Sequence, residues 1–273
     1  MKLMLPTVLP EKAVKPRVLG NAKLAFGAFF SRGETRLSKL KVFAESMQAW
    51  GEYHERDANE AKTLAATAAR RQDSGLFKWF EAAADRSTAR SRRCFRLAGA
   101  TFYSLGNSSL ENGNMQGAMQ FFFDSAQAKG NAGVNCTHVK AMTAYCSSKI
   151  FTDEGKDGLA AMNMVRAFEL MSKAGRGWSA YEFGVEALGL LENTYQYQNI
   201  PFCDQLAALA TKNLEYDVAG RAYSLAAGHS ENPEVKLAYR EAAERCAQVH
   251  KVLNDTSQKA FEAFLLSGEK QMG

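Results

Sequence analysis

The sequence predicts an all-α protein built from antiparallel helix pairs, and three observations predict it. Proline is confined: Pro6, Pro10 and Pro16 fall in the first 16 residues, and only Pro201 and Pro233 remain for the rest of the 273. A proline inside a helix removes a hydrogen bond and costs about 3 kcal/mol, so so long a stretch nearly free of it suits continuous helices. Ala, Leu, Glu, Lys, Arg, Gln and Met, the strong helix formers, fill that stretch. Apolar residues recur at spacings of three and four, and alternating β-branched runs are absent.

Taken in order, residues 1–33 read as a basic arm that its prolines hold extended, with Gly20, Gly27 and Gly33 as punctuation. Its apolar group Leu24, Phe26, Phe29 and Phe30 is expected to dock on the body. Residues 34–273 read as the helical domain. Leu37, Leu40, Ala44, Met47 and Trp50 form one stripe; Ala58, Ala61, Leu64, Ala65 and Ala68 form a second, small enough for close helix approach. Asp73-Ser74-Gly75 breaks the chain, and Leu76, Trp79, Phe80 and Ala83 begin a third stripe that resumes at Phe95, Ala98, Phe102 and Leu105, so that 75–111 reads as one long helix or two.

Turns are expected at 111–114, at Lys129-Gly130-Asn131, at 153–158 and at Gly175-Arg176-Gly177. Asn199-Ile200-Pro201 and Asn232-Pro233-Glu234 open helices, and Gly228 closes the helix between them. Tyr195 and Tyr197 close a helix end. Asp255 with Gln258 has capping-box spacing for a last helix. The result is about ten helices of 12 to 20 residues.

One segment carries a resemblance. Phe102, Leu105, Gly106, Ser109, Gly113, Ala118, Phe122 and Ser125 fall where a tetratricopeptide repeat places its large, small and turn residues. Ser109 stands for a tyrosine and Ser125 for an alanine of that pattern. The segment 102–130 therefore resembles that family, and Val134 to Ala174 repeats the outline through Val139, Ala141, Tyr145, Ala161, Val165 and Phe168 over more residues than the usual roughly 34. The resemblance implies a solenoid of stacked helix pairs whose first helices line a concave groove for a partner; an irregular helical bundle is the alternative architecture.

Charge is uneven. Nine basic residues against Glu11 and Glu34 give residues 1–41 a charge of +7, so the remainder of the +5 chain carries 5 − 7 = −2. The five cysteines are widely spaced and never form C-x-x-C, which suits a reducing, cytoplasmic setting rather than a disulfide framework. No run approaches a membrane span. Asn21 and Lys23 interrupt Val18–Phe30 as a secretory core, although an acid-poor leader keeps an exported or organellar destination as the alternative.

No phosphate loop, H-E-x-x-H or nucleophile elbow is present. Cys246 with His250, Cys136 with His138, and the acidic turn at 153–157 each lack the further ligands that a metal or nucleophilic site needs. No catalytic residue, metal or cofactor is expected. The strongest charged feature is basic: Arg86, Arg90 and Arg93 share one helix face, with Arg92 and Arg96 beside them and Arg70 and Arg71 before them. With Phe121, from the run Phe121-Phe122-Phe123, these three are the expected partner contacts.

The expectation is a non-enzymatic scaffold (adaptor, chaperone or assembly factor) that binds another protein or a segment of one. Two other classes fit parts of the pattern. A nucleic-acid-associated or nucleocapsid-type helical protein would use the arm and the arginines, and a helical enzyme would assemble its site from residues such as His138, Glu169 or Tyr181. An exported bacterial effector would combine arm and helical body by analogy alone.

Overall fold

The computed structural model describes residues 33–194 and 199–269, with side chains described for 35–194 and 199–259. The regular structure among them is α-helix: α1 Gly33–Arg70, α2 Ser74–Glu111, α3 Met115–Asn131, α4 Thr137–Asp153, α5 Asp157–Lys173, α6 Gly177–Glu192, α7 Ile200–Lys212, α8 Tyr216–His229 and α9 Pro233–Glu269. The chain divides into two compact units, one ending at Val139 and one beginning at Lys140. In the first, α1 packs along α2, and α3 packs on the C-terminal half of α2. In the second, α5 packs on α6, α7 on α8, and α8 on α9.

The turns explain the spacing of the helices. Six helices among the described residues end in the same Schellman arrangement. The residue after each cap lies in the left-handed region: Gln72, Gly113, Gly133, Gly155, Gly175 and Leu214. The next amide then donates back to the carbonyl five residues earlier, as Asn114 does to Ser109 and Arg176 to Met171, at 2.8 to 3.1 Å. From Gly113 to Gly133 is 20 residues, to Gly155 a further 22 and to Gly175 a further 20. Gln72 to Gly113 is 41 and Gly175 to Leu214 is 39, each two such steps. From Gly113 onward two successive helices thus occupy about 40 residues, whereas the interval from Gln72 to Gly113 holds the single helix α2. Helix starts are capped in turn: Asp73 accepts from the Leu76 amide at 3.0 Å, Asn114 from Gly117 at 2.9 Å and Asn199 from Phe202 at 3.0 Å.

Close packing holds the pairs. Phe102, Leu105, Gly106 and Ser109 of α2 and Ala118, Phe122 and Ser125 of α3 are all buried, and Gly113 makes the turn between the two helices. A Cβ on Gly106 would stand 2.6 Å from the Phe122 ring, so the glycine is the seat of that ring. Ser125 donates to the Gly99 carbonyl at 2.7 Å, and Ser91 to the Gly51 carbonyl at 2.9 Å. Gly51 receives Phe95 as Gly106 receives Phe122. In the second unit Gly184 sits against Leu206 and Phe168, and Ser148 donates to the Ala160 carbonyl at 2.7 Å. Phe168, Phe202, Leu188 and Leu206 form the core there. Each such side chain, fully buried, contributes about 1.5–3 kcal/mol of apolar transfer.

Several sequence expectations are corrected. There are nine helices among the described residues, and three run 37 or 38 residues. The first two apolar stripes belong to one helix, α1, on which Leu64 is exposed. Residues 74–111 are a single helix, and its Leu76 and Trp79 face solvent because α1 covers only the side that carries Ala84, Ser91 and Phe95. α3 continues through Lys129-Gly130-Asn131 and reverses at Ala132 and Gly133. Gly228 lies inside α8, whose cap is Ser230. Asp255 and Gln258 lie inside the unbroken α9, so they cap nothing. The arm up to residue 32, with Leu24, Phe26, Phe29 and Phe30, and the pair Tyr195 and Tyr197 lie outside the described residues.

Candidate partner-binding surface

The surface is built by one helix. α2 buries Ala84, Ser91, Phe95 and Ala98 and turns the opposite side outward. With a rotation of about 100° per residue, Arg86, Arg90 and Arg93 fall within an arc of about 60° on that outer side. All three are exposed, as are Arg92 and Arg96 beside them. Trp79 and Leu97 share the same arc and are 60% and 44% exposed. Arg70 and Arg71 are exposed at the end of α1 and in the turn that follows it.

No ion pair reaches any of these five α2 arginines among the described residues. Helix neighbours offer none either: Asp85 and Glu81 fall at no three- or four-residue spacing from Arg86, Arg90, Arg92, Arg93 or Arg96. The run from 86 to 96 therefore presents five cationic groups and two flanking apolar ones to solvent. Cys94 lies half-buried within it; burial pushes its thiol up, and Arg93 partly opposes the shift.

The three phenylalanines of α3 separate. Phe122 is fully buried against Gly106. Phe121 is half-buried: it stacks on Phe102 with centroids 6.5 Å apart and packs on the cluster of Ala44, Ala98, Phe102, Leu105 and Ala128. Phe123 is the presented ring, 57% exposed. The structure thus brings Arg86, Arg90 and Arg93 together on one face and turns Phe121 into the first unit's interior. Trp79, Leu97 and Phe123 were missed as surface residues. The buried spacing Ala118, Phe122, Ser125 is the signal that sets Phe123 off the packed side.

Elsewhere several polar side chains pair with one another, while His229 Nε2 is buried without a hydrogen-bond partner among the described residues. Tyr145 of α4 stacks on Phe183 of α6 at 4.9 Å, and Lys149 lies over Tyr145 while pairing with Glu186. Arg221 of α8 makes a two-pronged pair with Glu192 of α6, at 2.9 Å and 2.5 Å. Tyr239 donates to Asp204 at 2.9 Å, and burial together with that bond pushes its hydroxyl up to about 12. An open cleft of about 380 Å³ between α8 and α9 is lined by Asp217, Arg221, Glu244 and His250 among others. Another, of about 540 Å³, lies beside Gly155 to Leu159 and Asn193.

The titratable residues singled out by spacing are dispersed. His250 contacts Asn254 at 3.0 Å, one turn beyond the buried Cys246. His138 lies edge-on to Tyr103, Glu169 is half-buried on α5, and Tyr181 is buried on α6 beside Trp178. In the turn after α4, Lys156 pairs with Glu154 at 2.7 Å. Burial pushes the Cys146 thiol up to about 11 and the Cys203 thiol up to about 12, which keeps both in the weakly nucleophilic neutral form at pH 7. No three His, Cys, Asp or Glu side chains come together to hold a metal ion among the described residues. Nor is any described helix long and apolar enough to cross a membrane.

Comparison of the chain with models of protein families, with curated proteins and with solved structures found no match.

Proposed function

We propose that this protein is a non-enzymatic scaffold that holds a segment of another protein against its helix surface, as an adaptor, chaperone or assembly factor does. One observation carries the reading: α2 presents Arg86, Arg90 and Arg93 without an ion pair among the described residues, flanked by the exposed Trp79 and Leu97. Arginine and tryptophan dominate the energetic centres of protein interfaces, because each covers much area and pairs specifically once water is excluded. Exposed large apolar side chains gathered on one face mark the same kind of surface. The five unpaired thiols support a reducing, cytoplasmic setting.

The test is capture from native lysate by the full chain, with nuclease treatment, beside an Arg86→Glu/Arg90→Glu/Arg93→Glu variant. The expected result is a set of proteins that survives nuclease and is lost with the variant, while the variant's circular dichroism and melting match those of the parent. Recovery of nucleic acid in place of protein, or identical capture by both chains, overturns the reading. The first outcome would favour the nucleic-acid class, which the charge of +7 on residues 1–41 supports. Its signature is an affinity that falls steeply with salt.

A further inference from the structure

The spacing on the outer face of α2 is more specific than a basic patch. Leu76, Trp79, Arg86, Arg90, Arg93 and Leu97 are all exposed, and they are separated by 3, 7, 4, 3 and 4 residues. That alternation is the a/d period of a coiled coil, here on the side of the helix that faces away from α1. Ala83 fills the gap between Trp79 and Arg86, and Ala100 continues the seam beyond Leu97. The centre of the stripe is cationic and both ends are apolar. Trp79 to Leu97 spans 18 residues, about 27 Å along the axis.

From this we infer that the α2 stripe is a helix-docking seam, and that its occupant is an acidic amphipathic helix of a partner protein. The inference rests on the scaffold reading above and names the partner's chemistry. The matching helix carries carboxylates at the two or three central seam positions, where they meet the arginine forks, and apolar side chains at the outer ones, against Trp79 and Leu97.

Charge excludes the occupants closest to hand. A second copy of the same stripe, docked in register either parallel or antiparallel, sets arginine on arginine, because the triplet lies near the middle of the seam. Residues 1–33 of this chain carry six basic residues against Glu11, 6 − 1 = +5, so the basic arm is repelled by the same groups. A nucleic acid or an anionic membrane would need a broad cationic surface. The neighbouring α1 instead balances six basic residues (Arg36, Lys39, Lys41, Arg56, Lys62, Arg70) against six acidic ones (Glu34, Glu45, Glu52, Glu55, Asp57, Glu60). On α2 itself, Asp85 lies about 100° round the helix from Arg86, and Glu81 lies nearly opposite Trp79. The positive strip is thus about one helix wide, roughly 10 Å.

The test uses the full chain and a labelled synthetic helix of about three heptads, with glutamate at its central seam positions and leucine at its outer ones. Fluorescence anisotropy compares it with a scrambled peptide of the same composition, polyglutamate, duplex RNA and vesicles of anionic phospholipid. The helix is expected to bind and the scrambled peptide to bind at least about tenfold more weakly. Trp79→Ala and Arg90→Glu/Arg93→Glu should each weaken binding by a similar factor, and lysine in place of the peptide's glutamates should restore binding to the arginine-reversed variant. That charge-swap rescue separates a lost contact from a lost fold. Equal binding of the scrambled peptide or polyglutamate overturns the helical seam and leaves a charge patch. Stronger binding of RNA or vesicles, unaffected by Trp79→Ala, overturns the choice of partner class. If the designed helix fails while nuclease-resistant capture still depends on the arginine triplet, the seam falls and the scaffold reading stands.

Discussion

Replacing Gly106 with alanine sets two effects of known size against each other. Alanine inside a helix gains about 1 kcal/mol over glycine. At this position, however, the new Cβ would lie 2.6, 2.7 and 3.0 Å from three atoms of the Phe122 ring. Carbon atoms pack comfortably at about 3.5–4 Å, so the ring must retreat by nearly 1 Å. It has nowhere open to go, since Phe122 is fully buried, with Tyr103 at 5.5 Å on one side. Overpacking of this kind costs about 1–3 kcal/mol. The expected net is a loss of about 1 kcal/mol for Gly106→Ala. Gly130→Ala, on a helical glycine of the same unit whose Cβ would meet nothing within 4 Å, should gain up to about 1 kcal/mol. Native-state hydrogen exchange of the α2 and α3 amides reads both locally. Adding Phe122→Leu to Gly106→Ala should recover part of the loss and show coupling in a double-mutant cycle. If both alanines stabilise equally, the close seat of Phe122 is not what fixes the α2–α3 pair.

Two further outcomes test the turn geometry and the buried thiols. Leu214 holds φ 63 and is 68% exposed in the place that glycine fills in four of the six matching turns. Leu214→Gly should raise the melting temperature, because relief of about 1–2 kcal/mol of left-handed strain exceeds the roughly 0.5–1 kcal/mol of added chain entropy; Gly175→Leu should lower it. Burial, with Asp204 second, pushes the Cys203 thiol up from 9.0 to about 12. The stability that this group contributes is whole below pH 9 and is lost as pH rises toward 12, because the unfolded thiol ionises first. Urea titrations across that window should fall less steeply for Cys203→Ala than for the parent, and parallel slopes would show that the thiol is not held neutral by the fold.

Helix content, most turns and the exposure of the arginines were legible because each follows from local chemistry. Gly113, Gly155 and Gly175 could be placed by their polar neighbours, whereas the turn near Gly130 was set three residues early. Two glycines stand close together there, and only the run of the helix decides which takes the left-handed conformation. The pattern Asp255 and Gln258 caps a helix only where the chain has first left one. No proline or glycine between Glu234 and Asp255 makes it do so. Leu76 and Trp79 lie on one of two apolar stripes that run along the start of α2. Periodicity finds both, but contact with α1 selects the one that ends in Ala84, Ser91 and Phe95. Phe121 and Phe123 flank the buried Phe122 at opposite rotations; Ala118 and Ser125 fall on the Phe121 side, where that ring meets Phe102.

The lengths of the helices place the arginines where they are. α2 has 38 residues, about 57 Å, and α1 matches it. α3 has 17 residues and seats its serine and phenylalanine at Gly99 and Gly106, so it engages only the C-terminal half of α2. Within its unit the N-terminal half of α2 therefore packs on one neighbour and needs one narrow buried stripe. Nothing in the packing dictates what the remaining side carries. A helix that had only to be soluble would interleave acids with bases, as α1 does with six of each. α2 instead sets Arg86 beside Arg90, Arg90 beside Arg93 and Arg92 beside Arg96, all at repulsive three- or four-residue spacing. Those pairs work against the isolated helix and gain nothing from the described core. A carboxylate-bearing partner laid along the stripe would turn each of them from a cost into a contact.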